Sequence, residues 1–415
     1  MIRKKQSNYW DFASDKNFSL IHKIHTYPAT FPAPLARELI SNFSKENDLI
    51  LDIFSGSGTT LLESKLLRRN SIGQDLNPLA NLIAKVKTSK INLVTIDNIK
   101  EGFKQIRKVK PKFSSNKDHF WFEPETLKSL KFLKGEIDKI NCKNSRDFYS
   151  LSLSQIIRKV SKLKHSGFKM HRDKNKKSSF DLKEILDLFF IPQVEKNIKA
   201  FESSSEFLAS KNKSNIFFHN AKNINKRIKK SSVDLIVTSP PYGDSQSTVA
   251  YGEFAKLPHE ILELGDYYNI DGSLLGGSKR SKNLNFAGSK SLNNSLSRFE
   301  EKIIKDNKNY NLQKRYNTLI NFYDDLFESF SHCKTYLKQK KFLCVVISKR
   351  TVLDVLFNND EILEDFLKTQ DFQLKEKHSR NILHKRMPSK VNASNTPGDN
   401  RKTMDKEEIL IFQKA

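Results

Sequence analysis

An apolar run, Val233 to Val237, ends in Thr238-Ser239-Pro240-Pro241-Tyr242. The β-branched run predicts a buried strand that stops at two adjacent prolines. Neither proline nitrogen can donate to a sheet ladder, and each ring fixes its own φ. The residue ahead of each proline is pushed out of the helical region as well. A hydroxyl on Ser239, carbonyls off the ladder and the flat ring of Tyr242 are thereby gathered at a strand's C-terminal end, where open α/β sheets place their ligands. Such a set suits gripping a planar group that bears an –NH2. Alone, the stretch is equally well a Pro-Pro turn closing a core strand, so the other motifs decide.

The second chemical stretch is Leu49-Ile50-Leu51-Asp52-Ile53-Phe54-Ser55-Gly56-Ser57-Gly58-Thr59-Thr60. It predicts strand, glycine turn and helix without a gap. Only 14 glycines occur in the chain, so Gly56 and Gly58 are not compositional noise. They allow a tight turn and a close approach of backbone N–H groups to a ligand at a helix N-terminus. A phosphate loop would need Lys after the last glycine, and a dinucleotide loop a third glycine where Leu61 stands. An anion other than phosphate, such as an amino-acid carboxylate, fits better. A further strand and turn, Ser71 to Pro78, places Asp75 about 20 residues beyond the glycines, where an acid accepts hydrogen bonds from ribose hydroxyls. Asn220, at the end of a predicted strand from Asn215, offers an amide to an adenine ring, or is simply a turn residue. A nucleoside that carries a carboxylate and no pyrophosphate describes S-adenosylmethionine (SAM).

The elements that must position these residues form an α/β pattern. Three prolines between Tyr27 and Pro34 lead into a helix, with Pro34 suited to its first turn. Residues 91–209 switch to helical periodicity, with amphipathic helices at Glu125–Ile140, Asp147–Leu163 and around Pro192. This reads as a helical insertion between the second and third strands. Within it, Arg158 to Lys177 holds nine Lys/Arg, interleaved with Phe168 and His171, against one acid, Asp173. Such a tract can track a phosphate backbone or be a solvated loop. Leu274 to Arg315 is rich in Gly, Ser, Asn, Lys and Arg, with little apolar periodicity, and is read as polar loops of the kind that read bases or line a plain surface. A helix at Tyr316–Leu337, a buried strand at Lys341–Ser348, a helix at Asn359–Thr369 and strands at Phe372–Arg380 and Glu408–Gln413 complete a mostly parallel sheet ending in a strand pair. The expected units are a catalytic domain, 1–90 with 210–415, a helical insertion, 91–209, and a variable region, 245–315, as candidate recognition element.

Lys and Arg number 73 against 47 Asp and Glu, a net charge of +26, and the sequence pI is about 9.7. A polyanion partner fits, although AT-rich codons give the same bias. Cys142, Cys333 and Cys344 stand far apart, which argues against a disulfide framework and a zinc site. The N-terminus lacks an apolar signal core, and no run reaches membrane-spanning length. A cytoplasmic protein without a membrane partner is expected.

Together, Asp52-Ile53-Phe54-Ser55-Gly56-Ser57-Gly58-Thr59-Thr60 and Thr238-Ser239-Pro240-Pro241-Tyr242 resemble the SAM-dependent DNA amino-methyltransferases, and more narrowly the cytosine-N4 enzymes of restriction–modification systems. The segment Tyr27–Ile40 is similar to the family's methionine-side motif, and Arg380 to Pro388, Thr403-Met404 and Glu407 to Leu410 look like its tail. The resemblance spans 22–90 and 215–413. It implies a Rossmann-like methyltransferase sheet and SAM held by Phe31, Pro32, Asp52, Phe54, Gly56, Gly58, Thr59, Thr60, Asp75 and Asn220. Many relatives carry an acid where this chain has Asn220. It further implies Ser239, Pro240, Pro241 and Tyr242 as catalytic residues, and double-stranded DNA and a cognate restriction endonuclease as partners. An exocyclic amine is a poor nucleophile because its lone pair is delocalised. Acceptors at Ser239 Oγ and the Pro240 carbonyl would let it rehybridise, with Tyr242 stacked on a base flipped from the duplex. Serine before Pro-Pro-Tyr points to the cytosine branch. An adenine-N6 DNA enzyme, an RNA amino-methyltransferase and a DNA-binding protein without activity are the alternatives.

Overall fold

In the computed structural model, the strand that precedes Pro240 is buried at all six positions, Val233–Thr238. The structure describes residues 9–13, 19–89, 120–164, 169–204, 210–244, 249–265, 270–277, 289–305, 310–382, 390–392, 400–402 and 405–415. Among the described residues, seven strands form one sheet: β1 Leu49–Asp52, β2 Asn70–Asp75, β3 Ser214–Phe218, β4 Val233–Thr238, β5 Leu337–Ile347, β6 Phe372–Asn381 and β7 Lys406–Lys414. Their spatial order is β3-β2-β1-β4-β5-β7-β6. The pairs β3/β2, β2/β1, β1/β4 and β4/β5 are parallel, whereas β7 runs antiparallel to both β5 and β6. The expected architecture, a mostly parallel sheet closed by antiparallel pairing, is the one observed.

Strand order reverses between β1 and β4. In a parallel sheet the connections from such neighbours leave toward opposite sides, so a crevice opens at their C-terminal ends. This is how the glycine turn after β1 and the Pro-Pro turn after β4, nearly 200 residues apart in the chain, come side by side.

Apolar side chains fill both faces. On one, α1 (Ala33–Phe43) lays Leu35, Leu39 and Ile40 against Ile50, Leu235, Val237 and Cys344. Cys344 is therefore core, as its strand context predicts. On the other, Leu51, Ile236, Leu343 and Leu410 meet later helices. Helices α2 (Thr59–Leu66) and α3 (Pro78–Thr88) follow β1 and β2. Asn77 caps α3 by accepting from the Leu79 and Ala80 N–H groups, and Pro78 sits at its first turn, where no N–H is needed.

Helices α4 (Pro124–Asp138), α5 (Lys143–Val160) and α6 (Ile191–Glu202) lie in the chain between α3 and β3 and share one apolar cluster with α3 and α7 (Tyr251–Leu262). A π-helical turn, Ile185–Phe190, precedes α6. Pro192 lacks the N–H that an α-helical ladder would use there, which accounts for the break in register.

The expectation of polar loops across Leu274–Arg315 is corrected. Residues Lys290–Lys305 form α8, and α9 (Tyr310–Ser331) starts before Arg315. Leu292, Leu296 and Phe299 recur at helical spacing and bury themselves, and the Asn, Ser and Lys between them disguise the stripe. Asp365 of α10 (Asn359–Lys368) accepts from the Ser291 N–H and satisfies the first turn of α8.

Candidate active site

A cleft at the C-terminal ends of β1, β2 and β4 encloses about 900 Å³ of space, part of it open to solvent. Asp52 ends β1 and is 3% exposed. Its Oδ1 accepts from the Phe54 N–H at 3.1 Å and from Thr238 Oγ1 at 2.7 Å. One carboxylate thus joins the glycine turn to the residue before Ser239. Burial pushes it up to about 6, opposed by the Thr238 hydroxyl.

Asp75 ends β2 and latches two turns. Its Oδ2 accepts from the Gly56 N–H at 2.9 Å, and its Oδ1 from the Asn77 N–H at 2.8 Å. Burial raises it to about 6, with both backbone bonds opposing. Gly56 and Gly58 have φ of +46° and +79°, and the Gly58 N–H closes a turn on the Ser55 carbonyl at 2.8 Å. Ser55 Oγ is buried in the cleft wall with no hydrogen-bond partner among the described residues. An unpaired hydroxyl beside the N-terminus of α2 fits a small anionic group such as a carboxylate. Tyr27 and Tyr251 stack with centroids 5.9 Å apart and complete the wall near Asp75.

Of the residues expected to hold SAM, Phe31, Asp52, Phe54, Gly56, Thr59, Asp75 and Asn220 line the cleft. Pro32, Gly58 and Thr60 stand behind it. Pro32 caps α1, Thr60 is buried, and a Cβ on Gly58 would lie 2.7 Å from the Ala84 Cβ of α3. Gly58 therefore serves the close packing of α2 on α3. Behind α1, buried Glu63 takes His22 Nε2 at 2.6 Å and Arg37 Nε at 2.8 Å, which ties the Tyr27 segment to α2.

On the other side, Ser239 and Pro241 line the cleft, whereas Pro240 and Tyr242 do not. Ser239 Oγ donates to the Val346 carbonyl of β5 at 3.0 Å and lies 3.3 Å from the Tyr242 hydroxyl. With its one proton held at the rear, Ser239 presents lone pairs to the cleft. The Tyr242 ring is half-buried against the sheet, and its hydroxyl donates to Glu407 Oε1 at 2.8 Å. Asn359 Nδ2 donates to the Tyr242 carbonyl at 3.2 Å. Beyond Tyr242, the Asp244–Arg350 ion pair is buried, and Gly243 leaves the room its guanidinium occupies.

Sequence reasoning assigned no role to Tyr251, His219 or Glu407. Tyr251 and His219 line the cleft, and Glu407 is linked to it through Tyr242 and then Ser239. No spacing signal links Glu407 to Tyr242, because the pairing of β7 with its neighbours brings them together.

The basic tract is partly committed to the fold. Arg158 lies over the Phe254 ring, Arg172 over Phe120, Lys162 pairs with Glu123, and Lys176 donates to the Ser161 and Leu163 carbonyls. Its Phe168 lies outside the described residues, as do His384 to Pro388, Thr403 and Met404 in the tail. Among the described residues no cluster could hold a metal ion, and no helix is long and apolar enough to cross a membrane.

A family model described as DNA methylase matches residues 2–86. The Type II methyltransferase M.MvaI of Kocuria varians is 29% identical over 98% of this chain and 94% of its own length. The Type II methyltransferase M.MjaII of Methanocaldococcus jannaschii is 32% identical over 37% of this chain and 27% of its own length. M.BsoBI of Geobacillus stearothermophilus, another Type II methyltransferase, is 26% identical over 56% and 51%.

Proposed function

We propose that this chain, which belongs to the SAM-dependent DNA amino-methyltransferases, methylates the exocyclic N4 amine of a cytosine flipped out of a short DNA site, and does so to protect host DNA beside a cognate restriction endonuclease. The observation that carries the reading is the shared cleft. Ser239, its proton turned away, faces the same space as the glycine turn and Asp75. SAM supplies an electrophilic methyl group on sulfur. Asp75 is suited to hold its ribose, Asn220 its adenine, and Ser55 with the start of α2 its carboxylate. Ser239 Oγ and the adjoining Pro240 carbonyl accept the two amine hydrogens, and Tyr242, outside the cleft, braces Ser239 from behind. Fixing the amine on two acceptors withdraws its lone pair from the ring and aims it, which is where much of the rate would come from. No covalent intermediate on the protein is needed.

The serine before Pro-Pro-Tyr supports cytosine. Incubation with methyl-labelled SAM and double-stranded DNA, followed by digestion to nucleosides, should put label in N4-methylcytosine. Label solely in N6-methyladenine moves the substrate to the adenine branch, and label only with RNA removes DNA as the substrate.

SAM affinity should depend on pH. The carboxyls of Asp52 and Asp75 are raised by burial to about 6, from an ordinary value of roughly 4. A raised value in the fold means that the empty protein binds protons as pH falls through about 6. These groups therefore stabilise it increasingly from about pH 6 down to about pH 4, and that contribution is lost as pH rises back through the window. A ribose hydroxyl donates more strongly to the ionised carboxylate than to the protonated carboxyl. Titration calorimetry should show a Kd that is flat above about pH 7 and rises below about 6 by up to about tenfold per pH unit for each of the two carboxyls that must ionise, with proton release on binding there. A constant Kd from about pH 5 to 8 would separate both carboxylates from the ligand.

A further inference from the structure

The antiparallel strands at the far side of the sheet carry a chain of hydrogen bonds that ends on Ser239. Glu407 in β7 and Arg380 in β6 are cross-strand partners, and Arg380 Nη1 donates to Glu407 Oε2 at 2.8 Å. Arg380 is buried, and its Nε donates to the Trp10 carbonyl at 3.0 Å, which fixes the guanidinium from the N-terminal turn Tyr9–Asp11. The other carboxylate oxygen, Oε1, accepts the Tyr242 hydroxyl at 2.8 Å. That hydroxyl stands 3.3 Å from Ser239 Oγ, which also reaches the Val346 carbonyl at 3.0 Å.

Each hydroxyl in this chain has one proton, and a carboxylate can only accept. The Tyr242 proton is therefore spent on Glu407 and is not offered to Ser239. Burial and the nearby Glu407 charge push the Tyr242 phenol well above its ordinary range, so the proton stays on it. The Ser239 proton goes to Val346 or to Tyr242, neither of which lines the cleft. We propose that Glu407, anchored by Arg380, is a positioning residue that sets the direction of this chain, so that Ser239 meets the substrate amine solely as an acceptor. The inference rests on the reading of Ser239 as the amine's acceptor.

Glutamine in place of Glu407 can donate as well as accept. Tyr242 would then be able to turn its proton to Ser239 and occupy a lone pair that the amine needs. Glu407→Gln is expected to lower kcat for DNA methylation about tenfold, the worth of one ordinary hydrogen bond, with the Kd for SAM unchanged. Tyr242→Phe keeps the ring and removes the hydroxyl. Placed in the Glu407→Gln background it should recover part of the lost kcat, whereas a role in packing alone makes the two losses add. Additive losses, or full activity of Glu407→Gln, overturn the inference. If Glu407→Gln does not fold, Arg380→Lys carries the test, since it keeps the carboxylate and loosens its anchor. Lowered kcat at unchanged SAM affinity is expected, and unchanged kcat overturns the proposal. Ser239→Ala is measured alongside. Full turnover of that variant sinks the parent reading and this inference with it, and slow turnover of Ser239→Ala with normal Glu407 variants sinks this inference alone.

Discussion

Ser239→Ala will bind SAM as the parent chain does and transfer methyl groups about 10²-fold more slowly, the order of effect seen when one preorganised polar contact to a reacting group is removed. The amine cannot attack while its lone pair is shared with the ring, and each N–H held by a fixed acceptor eases it out of that plane. Removing Oγ leaves one acceptor of two. Binding should be spared, because Ser239 stands after β4, whereas the latch on the glycine turn is Asp75 at the end of β2. The folded state loses the bond to the Val346 carbonyl, about 1 kcal/mol, which a half-buried site tolerates. Single-turnover methylation and calorimetric SAM titration on the same preparation read the two effects apart. Unchanged turnover takes Ser239 out of the mechanism, and lost SAM binding makes it a cofactor residue instead.

What could be read in the sequence was local. The run Leu49–Thr60 announces strand, turn and helix because glycine conformation and helix start are decided within a few residues. Val233–Tyr242 announces a buried strand because two prolines end its ladder. The adjacency of the two follows once a parallel sheet with a reversal of order is assumed, and the structure supplies the bond that proves it, Thr238 to Asp52. What stayed hidden is what only tertiary pairing creates. Glu407 and Arg380 were noticed only as tail residues, and no spacing rule tells that their strands pair and bring the carboxylate to Tyr242. The helix α8 was missed because three apolar residues, Leu292, Leu296 and Phe299, are diluted by polar neighbours, and its burial comes from elements outside the segment. Charge count alone could not separate the two readings of the basic tract either. Arg158, Lys162, Arg172 and Lys176 read as a polyanion tract, yet each has a ring, a carboxylate or a carbonyl of its own chain as partner.

The two glycines of the turn, alike in the motif, should respond very differently to substitution. Gly56→Ala adds a methyl whose nearest neighbour, Tyr27 Cε1, lies at 3.8 Å, so it bears little beyond the strain of φ +46°. Gly58→Ala combines φ +79° with a Cβ placed 2.7 Å from the Ala84 Cβ and 2.8 Å from the Ala84 Cα. Backbone cannot swing aside as a side-chain tip can, so α2 and α3 must separate. Left-handed strain of about 1–3 kcal/mol and overpacking of about 1–3 kcal/mol together predict a loss near 3 kcal/mol or more. The damage should spread to the ligand. The turn before α3 holds Asn77, whose N–H is bonded to Asp75, and Asp75 holds Gly56. A shift of α3 therefore loosens the SAM latch, and affinity should fall by about 10²-fold, which corresponds to about 2.7 kcal/mol. Gly135→Ala is the contrast. It lies in α4 with no described residue within 4 Å of the added carbon, so it should stabilise the chain by about 0.5–1 kcal/mol. Thermal unfolding with and without SAM ranks the three. If Gly56→Ala proves the more damaging, both glycines serve the ligand directly. If Gly58→Ala does, the second glycine is there so that two helices can touch.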